Sequence, residues 1–137
     1  MIRTIMLCTT MLAAALLGGL CVATPASADF CLQMSGELSG DLGFFRFKGS
    51  LPRKAGDMYT IHGRVAGLSP VFGAATRAKD GTFIEIGATF FADAEQGQFD
   101  IFLDPPGFTS GSGGAEYGSY GVSDAVTVMV VDCKLEP

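Results

Sequence analysis

Short runs in which apolar and polar side chains alternate recur from residue 30 onward, separated by Gly, Pro, Asp and Ser. Alternation at period two is what a half-buried β-strand requires, and no stretch of useful length shows the 3.6-residue spacing of an amphipathic helix. The first runs cover 30–38 and 42–51; in the second, Phe45 and Phe47 share one face while Arg46 and Lys48 share the other. A third, 58–66, sets Tyr59, Ile61 and Val65 against Thr60, His62 and Arg64. The fourth, 71–78, is poor in bulk because Gly73, Ala74, Ala75 and Ala78 dominate it. Runs at 82–92 and 98–103 align Ile84, Ile86, Ala88 and Phe90, then Phe99, Ile101 and Leu103. Pro52 and Gly56 mark a turn at 51–57, and Lys79-Asp80-Gly81 reads as a tight hairpin connection. The stretch 104–114 holds two prolines and four glycines and predicts a long mobile loop, since proline lacks a donor and glycine loses most entropy on ordering. After it, 115–120 predicts a glycine-weakened seventh strand and 125–133 a valine-rich eighth.

Residues 1–28 follow a different pattern. Arg3 is their only charge, the core from Ile5 through Val22 is apolar, and Ala26 and Ala28 supply the small pair that signal peptidase needs after the helix-breaking Pro25. This reads as a cleaved export signal, leaving 29–137 as one domain that starts at Asp29. A permanent anchor would have similar apolar length, but the cleavage pair and the lack of a following basic stop favour removal. Leu20 before Cys21 does not suit a lipoprotein signal. No membrane span is therefore expected after cleavage.

Removing the signal takes away Cys8 and Cys21 and leaves Cys31 and Cys133, one at each end of the domain. In an oxidising compartment such a pair is most simply a disulfide, which needs Cα atoms within about 7 Å. The outermost strands must then be neighbours. That favours an all-β, antiparallel barrel of seven or eight strands, lipocalin-like or avidin-like in architecture only; a β-sandwich with adjacent terminal strands is the alternative. Lipocalins carry a Gly-x-Trp motif near the first strand and biotin-binding barrels line their pocket with tryptophan, whereas this chain has none.

Charge narrows the function classes. From residue 29 onward the chain holds eight Lys and Arg against fourteen Asp and Glu, net −6. The balance is lopsided: 29–79 has seven basic and four acidic residues, net +3, and 80–137 has one basic and ten acidic, net −9. An overall basic surface is lacking, which argues against nonspecific nucleic-acid binding. Arg46, Lys48, Arg53, Lys54 and Arg64 gather around one hairpin as a candidate anion contact, and Phe108, Tyr117 and Tyr120 are candidates for a pocket rim. Asp93, Glu95, Asp100 and Asp104 cluster in sequence but match no EF-hand spacing, so no metal site is expected.

An enzyme would need a nucleophile, a proton-transfer group or a metal cage. The chain offers a single histidine, His62, in the polar phase of its strand, and Glu85 as an isolated strand carboxylate. No catalytic residue and no cofactor are expected. Phe44, Phe83, Phe91 and Phe102 fall out of phase with the apolar faces, and the last strand is apolar on both sides through Val126, Val128, Val130, Met129 and Val131. Part of the outer wall should therefore be covered, with a homo-oligomer as one option. The sequence points to an exported binding protein, periplasmic or extracellular, whose partner is a small molecule or an envelope protein. A structural envelope protein without a ligand is the alternative, and an enzyme using an isolated carboxylate ranks below it.

Overall fold

The computed structural model describes residues 29–37, 40–65, 69–92, 95–118 and 121–137; the segment 1–28 read from sequence as an export signal, with Cys8 and Cys21, lies outside them, as does Tyr120. Eight strands follow in order: β1 (Phe30–Gly36), β2 (Gly40–Phe47), β3 (Met58–Val65), β4 (Ser69–Arg77), β5 (Ile84–Ala92), β6 (Glu95–Leu103), β7 (Ser110–Tyr117) and β8 (Val122–Val131). Each pairs antiparallel with the next and β1 also pairs with β8, so the sheet closes into a barrel rather than splitting into a sandwich. Closure removes the exposed edges that an open meander would leave.

Period-two alternation carries through the closed sheet. Leu32 and Met34 of β1, Phe45 and Phe47 of β2, Ile84 and Ile86 of β5, Ile101 and Leu103 of β6, and Val126 and Val128 of β8 all point inward and are buried. Aromatic rings fill the space between them. The Phe45 ring meets Phe90 and Phe99 edge-on at centroid distances of 5.5 and 5.3 Å, and Phe30 stacks on Phe47 at 4.9 Å. An eight-stranded barrel is just wide enough for such filling. The slender β4 fits this packing: a Cβ on inward Gly73 would strike the backbone of Gly87 and Ala88 on β5. Its small residues let two strands approach closely.

The sharpest departure from the sequence reading is β7, which starts at Ser110 instead of residue 115. Gly111 and Gly113 pair with Leu103 and Ile101 of β6, and a Cβ on either would collide with the β6 backbone. Glycine here is what the close approach requires, so the long loop shrinks to 104–109. The Asp80-Gly81 connection forms as expected: Gly81 has φ 77°, and Asp80 Oδ1 accepts from the Thr82 amide at 3.0 Å and the Thr82 hydroxyl at 2.7 Å.

Cys31 and Cys133 are bonded, with Cα atoms 5.2 Å apart. Cys133 lies just beyond β8, in a 3-10 turn at Cys133–Leu135. Cys31 alternates with inward Leu32, so the bridge sits on the outside of the barrel and ties the chain after β8 across the outer wall of β1. A disulfide in this position is compatible with export. Among the described residues no helix is long and apolar enough to cross a membrane.

Candidate functional site

The outward residues of β4 to β8 form a shallow groove. Register places Ala74, Gly87, Asp100, Gly114 and Ala125 in one row across five strands. At an inter-strand spacing of roughly 4.8 Å this row is on the order of 19 Å long. Its centre is low because two of the five residues lack a side chain. The concavity has a volume of about 830 Å³ and is lined by Phe72, Thr89, Gln98 and Ser123 on one flank and Glu85 on the other.

Gly87 and Gly114 differ from the glycines that hold strands together. A Cβ on Gly87 would come no closer than 3.9 Å to Asp100 Oδ1, and one on Gly114 no closer than 3.8 Å to the Asp124 carbonyl. Neither has a left-handed φ. Among the described residues nothing in the packing demands glycine there, and a side chain at either position would simply fill the groove.

The groove is acidic. Glu85, Asp100 and Glu116 lie on a diagonal across β5, β6 and β7, with successive members offset by two residues from direct pairing and thus about 7–8 Å apart. Glu116 accepts from Gln98 Nε2 at 3.0 Å. Asp124, inward on β8 and 4% exposed, also borders this concavity. Among the described residues the lining contains no Lys or Arg. Phe72, 57% exposed, stands at the β4 end as an apolar platform.

The basic residues singled out from sequence divide into two groups. Arg46 and Arg64 are cross-strand partners on the outer faces of β2 and β3, and the chain's own carboxylates meet them. Arg64 Nε and Nη2 donate to Glu136 Oε1 and Oε2 at 2.9 Å each, a bidentate pair, and Arg46 Nη1 donates to Glu136 Oε2 at 2.9 Å. Asp29 Oδ2 accepts from Arg46 Nε at 2.9 Å and from Lys48 Nζ at 3.0 Å. Arg64, then Arg46, hold the Glu136 carboxyl down to about 2. The Lys48 hydrogen bond, followed by that of Arg46, keeps Asp29 below its ordinary value. Glu136 pushes the guanidinium pKa of both Arg46 and Arg64 further up. Arg53 and Lys54 lie apart, exposed in the connection between β2 and β3.

Of the rim candidates, Tyr120 lies outside the described residues and the other two are not brought together. Phe108 precedes β7 and Tyr117 ends it, so they occupy opposite ends of the barrel. His62 is exposed on the outer face of β3 and Glu85 is half-buried on that of β5. Of the acids around the β5–β6 turn, Asp93 lies outside the described residues, Glu95 opens β6, Asp100 lies mid-strand and Asp104 follows its end. Sequence reading missed the groove, whose floor comes from residues of five strands that only the register aligns. Of the out-of-phase phenylalanines, Phe44 is buried, Phe83 packs edge-on against Phe102 with centroids 5.4 Å apart, and Phe91 is exposed. No protein-family model matches this chain, and no curated protein and no solved structure resembles it significantly.

Proposed function

We propose that this is an exported binding protein, periplasmic or extracellular, that holds a cationic, extended polypeptide segment of an envelope partner in the outer groove of β4 to β8. The carrying observation is the glycine-floored row at Gly87 and Gly114 with Asp100 between them and, among the described residues, no basic side chain in the lining. A row on the order of 19 Å matches roughly six extended residues at about 3.3 Å each. Asp100 lies on that row and Glu85 and Glu116 flank it on opposite sides, so such a segment meets three carboxylates as it crosses β5, β6 and β7. The Phe72 ring offers a face on which a lysine or arginine can rest. Reading the protein as a binding module, with neither cofactor nor catalysis, rests on its residue inventory, in which the one histidine stands exposed on β3. Paired strands surround the groove, so it is preformed, and complementary charge would speed encounter at low salt.

The test is titration of the isotope-labelled mature protein with a hexapeptide alternating lysine and leucine, followed by NMR. Saturable shifts at Gly87, Asp100 and Gly114 that weaken with added salt and vanish in Gly114→Val support the reading. An equal response to an alternating glutamate and leucine peptide, or binding unchanged in Gly114→Val, rejects it.

A further inference from the structure

A second site, independent of the groove, lies at the barrel end that carries the connections 48–57, 78–83 and 104–109. A concavity of about 360 Å³ opens there, and its apolar walls include Phe30, Leu51, Ile84 and Phe108. Arg77, the last residue of β4, pairs with inward Ile84 and so turns its side chain over the barrel mouth. Its Nη1 donates to the Arg53 carbonyl at 2.7 Å, and its guanidinium lies over the Phe108 ring, 4.5 Å from the centroid. The other edge of the fork is unused. Nε is sealed from water and has no acceptor, and Nη2 makes no hydrogen bond among the described residues. Proteins rarely leave a buried N–H without an acceptor. The Nε and Nη2 edge of an arginine is the edge that takes both oxygens of a planar carboxylate. Asp29 also lines this concavity, but its charge is already met by Arg46 and Lys48. Arg77 and exposed Arg53 therefore leave the mouth positive above an apolar floor.

We propose that this mouth binds an amphiphilic carboxylate, with its two oxygens on Arg77 Nε and Nη2 and its apolar body against Leu51, Ile84 and Phe30. Phe108 is the part that yields. Its φ of 54° is left-handed, a region that residues with a side chain adopt at a cost, and its neighbours in 104–109 are exposed. The ring covers the guanidinium in the place that the ligand's body would take, so entry of the carboxylate exchanges one stacking partner for another and supplies the missing acceptor.

Octanoate is the probe, titrated into the folded mature protein by calorimetry and NMR, with acetate, octanol and octyltrimethylammonium as controls. Saturable octanoate binding with shifts at Arg77 Nε–H, Phe108 and Ile84, at least tenfold tighter than any control, supports the site. Arg77→Lys keeps the charge but lacks the fork, and its octanoate affinity should fall at least tenfold while its circular dichroism stays unchanged. Octanol binding as tightly as octanoate, no saturable octanoate binding by the unmodified protein, or Arg77→Lys binding it equally well would each overturn the proposal. The controls on the unmodified protein decide the matter even if the variant misfolds.

Discussion

The outer wall of the barrel is built in two opposite ways. Over β1, β2 and β3 the chain covers itself: the disulfide brings residues 132–136 back across the strands, and Glu136 closes onto Arg46 and Arg64. Every charge in that cluster has a partner within 3.0 Å. Over β4 to β8 nothing in the described chain lies on the wall, glycines stand where side chains would fit, and Glu85 and Asp100 make no ion pair among the described residues. Internal pairing makes the first wall a stability element. The second sets three carboxylates about 7–8 Å apart with no basic side chain in its lining among the described residues, an arrangement that binding sites often carry at the expense of stability.

The largest effect should come from cutting the strap. Replacing both cysteines, Cys31→Ser with Cys133→Ser, removes a link between residues separated by 102 positions, and about 2–5 kcal/mol of stability should go with it in urea denaturation. Hydrogen exchange should locate the loss: amides of β1, β2 and β8 should open more readily, while those of β5 and β6 should change only as global stability does. Exchange rising equally in every strand would mean that the strap has no local role, and the contrast between the walls would fail.

Glycine substitution tests the contrast from the other side. Gly113→Ala drives a methyl into the β6 backbone and should cost about 1–3 kcal/mol. Gly87→Ala and Gly114→Ala have open space, so each should stabilise by about 0.5–1 kcal/mol through the lost freedom of the unfolded chain. The signs should be opposite although all three glycines lie in strands. A loss at Gly87 or Gly114 comparable to that at Gly113 would show that the groove floor is under packing constraint.

These glycines also explain what was legible in the sequence. Strands β2, β3, β5 and β6 show themselves through alternation, because each has one buried face and side chains to mark it. β7 does not, since Gly111 and Gly113 mark an inward face by the absence of a side chain, which local reading cannot tell from a loop. The terminal cysteines pointed to adjacent outer strands and hence to closure. The partner of Arg64 was out of reach, as Glu136 lies 72 residues away in a turn beyond the last strand. A basic hairpin looks like an anion site until the chain's own carboxylates are found on it. The groove was invisible for a related reason: Gly87, Asp100 and Gly114 become neighbours only through the register of three strands.

Acid should act on the strapped wall. The Glu136 carboxyl is held at about 2 against an ordinary 4.5, so it binds its proton more readily in the unfolded chain. Its contribution is complete above about pH 4.5 and is lost as pH falls through about 2. Asp29, also lowered, adds in the same direction. Glu136→Gln should therefore be less stable than the parent at pH 6, and the gap in urea midpoint should close by about pH 2. A gap that stays constant with pH would show that the Arg64 pair contributes through packing alone.

The smallest effect on stability should fall on the open wall and be the most telling. Asp100 lies between Glu85 and Glu116 on the diagonal and is exposed, so its carboxylate feels two like charges through solvent. Asp100→Asn should raise stability by no more than a few tenths of a kcal/mol at low salt, and the gain should fade as salt screens the repulsion. Binding of the alternating lysine and leucine peptide should weaken in the same variant. A substitution that helps the fold slightly while harming recognition separates the two roles, because a carboxylate kept for packing would lose stability when neutralised. If Asp100→Asn were destabilising, Asp100 would have to be making a contact within the barrel, and the wall over β4 to β8 would prove to be as internally paired as the one under the strap.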